Sequence, residues 1–386
     1  MPVSAPTLAV IGGGQLARMM AQPAIALGLP LRLLAEAEGV SAAQVIPDHV
    51  VGDYRDLDTL LKVTDGCAAV TFDHEHVPTE HLHALERAGI AVRPGPDALV
   101  FAQDKALMRE RLAELDVPCP RNAVVSSVED VEAFGFPCVL KTTRGGYDGK
   151  GVWVVRSAVD ALEPFEVAAA AGVRILAEEL VDFRRELSAI VARSPSGQAA
   201  AYPVVQTTQR DGICHEVVAP APDLSDELAG QAQSIALAVA GALGVTGILA
   251  VELFETTDGR ILVNELAMRP HNTGHWSQDG AETSQFENHL RAVMDLPLGS
   301  PAPRQRWTVM VNILGGADPD AGRLYDGFPH ALARDPHLRV HLYGKDLRPG
   351  RKVGHVNTYG DDLEDCLERA RHAAAWFAGD LGNESE

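Results

Sequence analysis

The stretch 248-ILAVELFETTDGRILVNELAMRPHNTGHW-276 decides the fold. Apolar and polar residues alternate on both sides of Asp258-Gly259, which predicts two antiparallel strands joined by a tight turn. A two-residue type I′ turn needs positive φ at both central positions, and Asp-Gly suits that requirement. Pairing outward sets Thr257 against Arg260, Phe254 against Val263, and Glu252 directly opposite Glu265. Cross-strand partners have Cβ atoms about 5 Å apart, and like charges there destabilise the ladder. Something positive belongs between the two carboxylates. A hard divalent cation such as Mg²⁺, shared with phosphate oxygens, meets the need. The plainer alternative is an exposed hairpin whose acids tolerate each other in water. The apolar flanks favour the cation, as do Arg269, His271, Asn272, His275 and Trp276 immediately after.

Outward from that hairpin, 386 residues with 46% hydrophobic content are enough for two or three domains with real cores. The 53 acidic against 33 basic residues, a net charge of −20, oppose binding to nucleic acid or to an anionic membrane. An anionic ligand therefore needs a local basic pocket. The N-terminus has no basic and then apolar leader, and no apolar run is long enough to span a bilayer, so a cytoplasmic location is expected. Cys67, Cys119, Cys138, Cys214 and Cys366 are widely spaced, without a CxxC pair, and read as reduced, mostly buried hydrophobes rather than zinc ligands.

The fold class expected is α/β and α+β, in three parts. Residues 1–102 alternate short apolar strands (TLAVIGGG, LRLLAE, AAVTFDH) with helical patterns, as a Rossmann-like parallel sheet does. The proline-rich VRPGPDALV reads as a boundary. Residues 103–183 form a small central domain: a helix over QDKALMRERLAELD, then FPCVLKTT and GVWVV as strands flanking a glycine-rich loop. Residues 184–386 hold the carboxylate hairpin, the helices LAGQAQSIALAVAGALG and SQFENHLRAVMD, a basic segment YGKDLRPGRKVGHVN, and a C-terminal amphipathic helix around LEDCLERARHAAAWF.

Three further motifs carry chemistry. Gly12, Gly14 and Ala17 have dinucleotide-fingerprint spacing, with Glu36 ending the second strand; alone they suggest an NAD-dependent oxidoreductase, but a strand–glycine turn–helix unit also binds other phosphates, or none. The loop 144-RGGYDGKG-151 would let backbone N–H groups approach phosphates, with Lys141 and Lys150 supplying charge; the alternative is an ordinary glycine-rich hairpin. It is not a Walker A loop, because no Ser or Thr follows Lys150. Finally, VRILAEEL reads as a strand ending at Glu178-Glu179-Leu180-Val181, whose backbone could read an adenine edge, or which could be a solvated acidic turn.

Taken in order, these features resemble the ATP-grasp superfamily. Within it, GGGQLARMM, GGYDGKG, NELAMRPHNTGHW and RPGRKVGH resemble the N5-carboxyaminoimidazole ribonucleotide synthetase family over essentially the whole chain. The resemblance implies an ATP-grasp fold and an ADP-forming ligase of purine biosynthesis. It would use ATP, Mg²⁺ and bicarbonate to carboxylate 5-aminoimidazole ribonucleotide through carboxyphosphate, commonly as a homodimer. By the same resemblance, Lys105, Lys141 and the lid residues Gly145, Gly146, Tyr147, Asp148, Gly149, Lys150 and Gly151 hold the ATP phosphates. Glu178, Glu179, Leu180 and Val181 meet adenine and Glu186 the ribose, with Gln209, Asn264 and Glu265 completing the nucleotide site. Glu252 and Glu265 ligate the metal. Arg269, His271, Asn272 and Asp148 are the catalytic candidates. Gly14, Gln15, Glu75, Tyr147, Lys345, Arg351 and Lys352 are the candidates for holding the ribonucleotide. Two departures stand out. Ala267 occupies the place where the general superfamily pattern has Asn, which separates the chain from biotin carboxylase. Lys105 stands where many relatives have Arg and cannot form its bidentate fork. The alternatives are another ATP-grasp carboxylase or ligase of the biotin carboxylase type, a silent ATP-binding subunit, and the NAD-dependent oxidoreductase.

Overall fold

The computed structural model describes residues 5–146, 149–316 and 318–381, with Pro319 described by its backbone alone. Three sheets organise it. Strands β1 (Leu8–Ile11), β2 (Leu31–Ala35), β3 (His49–Val51) and β4 (Ala69–Phe72) pair in parallel in the order β3-β2-β1-β4. Every residue of β1 and β4 is buried, as expected where crossover helices cover both faces of a parallel sheet. The second sheet is antiparallel. It contains β5 (Asn122–Val125), β6 (Cys138–Thr142), β7 (Val152–Val155) and β8 (Ile175–Glu179), in the order β5-β8-β6-β7. The glycine-rich loop is the tip of its β6–β7 hairpin.

The third sheet takes nine strands: β9 (Phe183–Arg193), β10 (Ala199–Ala201), β11 (Val205–Arg210), β12 (Ile213–Ala219), β13 (Gly247–Thr256), β14 (Ile261–Ala267), β15 (Trp307–Leu314), β16 (Arg339–Leu342) and β17 (Lys352–Gly360). Their order is β14-β13-β9-β11-β12-β15-β17-β16, with β10 on β9. The carboxylate hairpin and the basic segment that begins β17 thus belong to one continuous surface.

The proline-rich boundary is more structured than its composition suggests. Pro96–Gln103 is a helix with Pro in its first turn, where the missing N–H costs nothing. The following helix, Lys105–Glu114, starts anew because the Asp104 carboxylate caps it, accepting from the Ala106 and Leu107 N–H groups. The helix Gln15–Leu27 of the first sheet and the helix Gln285–Val293 share one buried cluster containing Leu16, Met20, Phe286, Leu290 and Val293. Each such side chain contributes roughly 1.5–3 kcal/mol on burial, which seats the N-terminal sheet firmly beside the carboxylate hairpin.

Candidate active site

Glu252 and Glu265 are direct ladder partners, as the alternation predicts. The route to that pairing differs from the expected one. Asp258 does not adopt positive φ; only Gly259 does, at +83°. The Gly259 N–H donates to the Thr256 carbonyl at 3.0 Å and Thr256 N–H to the Arg260 carbonyl at 2.9 Å, so the turn is a three-residue loop over Thr257, Asp258 and Gly259. Thr257 therefore does not face Arg260, and Phe254 pairs with Leu262 rather than Val263. Continued unbroken, that register would set Glu252 against Asn264. Asn264 is instead the extra residue of a β-bulge, which returns Glu265 to Glu252. The bulge places Asn264 and Glu265 side by side on the same cleft.

Cations gather around this bulge. Lys105 Nζ lies 2.8 Å from Glu265 Oε1, and Lys141 Nζ donates to Asn264 Oδ1 at 3.0 Å. Lys141 also pairs with Glu178 Oε2 at 2.7 Å. Behind them stands Arg109, unremarked in the sequence. Its Nε meets Glu178 Oε1 at 2.5 Å, and its two terminal nitrogens donate to the Val263 and Asn264 carbonyls at 3.0 and 2.7 Å. Burial alone would raise the Glu178 carboxyl, but Arg109 and Lys141 hold it at about 2. The Glu178 side chain is thus the counter-ion of Arg109 and Lys141 while it lines the cleft. Two cations share its single charge, leaving positive charge on the cleft side at Lys141.

Among the described residues Glu252 has no such partner. Its nearest polar neighbours are His271 Nε2 and the Asn264 amide, each at 3.5 Å. Burial, followed by the charges of Glu265 and Glu186, pushes its pKa up to about 7. Among the described residues no three His, Cys, Asp or Glu side chains form a complete metal cage. A pair of hard carboxylate oxygens short of positive charge, opening on a cleft, fits Mg²⁺ that takes its remaining ligands from phosphates and water.

The cleft encloses about 1150 Å³ between the three sheets. Gly145, Gly146 and Gly149 line it, together with Glu179, Leu180, Val181, Glu186, Gln209, Arg269, His271, Asn272 and Lys352. Val139, Val152 and Val154 add an apolar wall; the alternation in VWVV, which sets Val152 and Val154 on one face, was its signal in the sequence. Gly151 packs on Thr142, whose Oγ1 would lie 2.5 Å from any Cβ there, and the Lys150 main-chain carbonyl lies over Gly146, 2.7 Å from any Cβ there, so the backbone of both closes the hairpin tip. A Cβ on Gly149 would lie 3.1 Å from the Gly212 Cα, so the tip reaches the β11–β12 turn. Tyr147 and Asp148 lie outside the described residues.

The likenesses to known proteins agree with this geometry. Family models match in succession the ribonucleotide synthetase preATP-grasp domain over residues 5–103, the ATP-grasp domain over 110–286, and the phosphoribosylaminoimidazole carboxylase C-terminal domain over 308–369. The chain is 55% identical to the N5-carboxyaminoimidazole ribonucleotide synthase of Mycobacterium tuberculosis, over 97% of this chain and 88% of that one. To the enzyme of that name from Corynebacterium ammoniagenes it is 52% identical, over 96% and 91%. It superposes on the Thermus thermophilus synthetase with a TM-score of 0.84 at 38% identity, covering 98% of this chain and 100% of that one. On the Aspergillus clavatus synthase in complex with ADP and 5-aminoimidazole ribonucleotide the TM-score is 0.88 at 30% identity, covering 97% and 99%. The chain belongs to the N5-carboxyaminoimidazole ribonucleotide synthase family. The expected fold, an ATP-grasp domain behind a preATP-grasp domain, is the one found.

In this member of the synthase family, the remaining candidates divide between two places. Arg269 Nε pairs with Glu75 Oε2 at 3.2 Å, while Glu75 Oε1 accepts the Met268 N–H at 2.8 Å, so the loop after β4 is fastened to the end of β14. Lys345 donates to Gln15 Oε1, joining the basic segment to the first helix. Lys352 lines the cleft, but Arg351 turns away and donates to the Asp346 carbonyl at 3.3 Å. Gly14 does not line the cleft; its missing Cβ leaves room for the Asp73 carboxylate, which would lie 2.1 Å away. Asp73 accepts the Ala17 N–H at 2.7 Å and Glu36 accepts the Gly13 N–H at 2.9 Å. Two donors that a dinucleotide fingerprint offers to pyrophosphate are therefore used by the protein's own carboxylates, which removes the support for a nicotinamide cofactor.

Proposed function

We propose that the chain catalyses the reaction its relatives are named for, the ATP- and bicarbonate-dependent conversion of 5-aminoimidazole ribonucleotide to its N5-carboxy derivative. The observation that carries this reading is the bulged hairpin, where Glu265 meets Lys105 and Asn264 meets Lys141 directly beside Glu252, on the cleft that the glycine-rich lid also lines. ATP lies with its base against Val139, Val152, Val154 and Leu180, its ribose near Glu186 and Gln209, and its phosphates between the two lysines and the lid. Glu252 and Glu265 would hold Mg²⁺, which supplies neutralisation of the charge developing on the phosphates. A bicarbonate oxygen attacks the γ-phosphorus and the bond to the bridging oxygen breaks, releasing ADP. The carboxyphosphate formed loses phosphate to give CO₂, and the aminoimidazole nitrogen adds to its carbon and sheds a proton.

This chain's residues serve those steps mainly by position and charge. Lys105 and Lys141 orient the phosphates. Arg269, His271 and Asn272 stand beyond them, where bicarbonate would be held. Gln15, Lys345 and Lys352 supply the ribonucleotide site, with Arg351 as the outlying member of that cluster. The lid, whose Gly149 approaches Gly212, excludes water from carboxyphosphate. A homodimer belongs to the same reading and is checked by light scattering. The deciding experiment is ADP formation by the purified chain with ATP, Mg²⁺ and bicarbonate, with and without 5-aminoimidazole ribonucleotide. Stimulation by the ribonucleotide is expected, and its absence would sink the reading.

A further inference from the structure

The loop 269–276 brings His271 and His275 to the cleft, yet its own regular structure is one short 3-10 turn, Asn272–Gly274. Gln285 supplies what the loop lacks. It is the first residue of the helix Gln285–Val293 and is wholly buried. Its Oε1 accepts the His271 N–H at 2.9 Å and its Nε2 donates to the His271 carbonyl at 2.7 Å. One side-chain amide grips both main-chain groups of a single residue, as a neighbouring strand would. A Cβ at Gly274 would lie 2.4 Å from Gln285 Oε1, so the loop has room for the amide only because glycine stands there.

This grip also decides which end of the amide is oxygen and which is nitrogen, an assignment that must come from the hydrogen-bond network. The remaining Nε2 hydrogen faces His275 Nδ1 at 3.0 Å. An amide nitrogen only donates, so Nδ1 accepts and the ring's proton sits on Nε2. An imidazolium would set N–H against N–H. Burial, which drives His275 well below its ordinary pKa, acts in the same direction. The His271 ring is held separately, through Thr273 Oγ1 at 2.9 Å and from there Ser188 Oγ at 2.8 Å.

We propose that Gln285 is a positioning residue for the carboxylation. It clamps the His271 main chain and locks His275 as the neutral Nε2–H tautomer, presetting both rings at the bicarbonate end of the cleft. What the rings meet there rests on the function proposed above; the tautomer does not. The nucleotide end is built from Lys105, Lys141 and the lid, and the His271 ring that reaches Glu252 is fixed through Thr273 and Ser188 rather than by Gln285, so the two ends should respond separately.

The test combines histidine ¹⁵N NMR with kinetics on the wild type, Gln285→Glu and Gln285→Leu. The wild type should show His275 as Nε2–H. Glutamate in its ionised form cannot donate to Nδ1 and should move the proton there, whereas leucine should leave the tautomers mixed. In both variants kcat/KM for bicarbonate should fall by about tenfold or more, as loss of a buried hydrogen-bond partner implies, with KM for ATP within about twofold. The proposal is overturned by a wild-type His275 that is Nδ1–H or cationic, a result that needs no folded variant. It is equally overturned by an unchanged bicarbonate response, or by ATP KM rising in step with the loss. Absence of ribonucleotide-stimulated ADP formation in the wild type would instead defeat the proposed function, and is seen before any variant is made.

Discussion

Among single residues, the two carboxylates of the hairpin are treated unequally. Glu265 has Lys105 at 2.8 Å, while among the described residues Glu252 faces only a neutral ring and an amide at 3.5 Å. That imbalance suits a cation arriving with its own anionic ligands. Glu265→Gln keeps the shape, and relief of carboxylate repulsion offsets the weakened Lys105 contact. The melting temperature should therefore stay within about 3 °C. Turnover at saturating Mg²⁺ should fall by more than the ~10–100-fold cost typical of an outer partner of a metal. Near-normal turnover would refute the metal assignment. Arg109 lies on the other side of the bulge. Lysine there could still meet Glu178 but could not reach the Val263 and Asn264 carbonyls together. Arg109→Lys should lower unfolding free energy by about 2–4 kcal/mol through unsatisfied buried carbonyls, measured by urea titration. A loss under half a kcal/mol would show that the bulge holds itself. Arg109 was legible in principle: residues 105, 108, 109 and 112 fall on one helical stripe, and an arginine amid buried Met108 and Leu112 asks for a buried partner.

At the scale of elements, the hairpin shows how far a pattern carries. Period-two alternation, read inward from each strand, puts Glu252 and Glu265 on the same face whatever joins them. Asp-Gly, however, is shared by a type I′ turn and by a type I turn followed by a left-handed glycine, so the loop length was not legible. The bulge was hidden for the same reason: one added loop residue and one added strand residue cancel at the glutamates. The two features should respond differently to change. Replacing Thr257-Asp258-Gly259 by Asn-Gly removes the Thr257 contact to Asp182, 2.9 Å, but leaves Thr256 and Arg260 as the closing pair. That change should cost about 1 kcal/mol or less and leave kinetics untouched. Asn264→Ala keeps the backbone bulge and removes one of the two Lys141 partners, leaving Glu178. It should raise KM for ATP by about tenfold, as one charge-assisted hydrogen bond implies. Equal kinetics in the two variants would mean that the bulge does not serve the nucleotide.

For the whole molecule, the strand and helix order along the chain was readable from short apolar runs. The three-residue β3 and the nine-strand span of the third sheet were not, since pairing partners such as β12 and β15 are distant in sequence. What binds the sheets together was equally invisible. His289 is an example: its Nδ1 accepts the Ile248 N–H of β13 at 3.1 Å, so its Nε2 carries the proton and donates to Thr71 Oγ1 of β4 at 2.8 Å. Burial holds its pKa at about 3, against about 6.5 in an unfolded chain. Between those values the unfolded chain binds a proton that the folded one refuses. The stability contributed by neutral His289 is therefore complete above about pH 6.5 and is lost as pH falls toward 3. At pH 5 the loss is about 2 kcal/mol, from roughly 1.5 pH units below the unfolded pKa. His289→Gln retains one acceptor and one donor without a titrating ring. It should be less stable at pH 7 by about 1–3 kcal/mol, while its drop between pH 7 and pH 5 should be smaller than the wild type's by about 2 kcal/mol. Urea titrations at the two pH values measure both differences. Parallel pH dependence in the two proteins would mean that His289 is not the acid-sensitive tie between the first and third sheets.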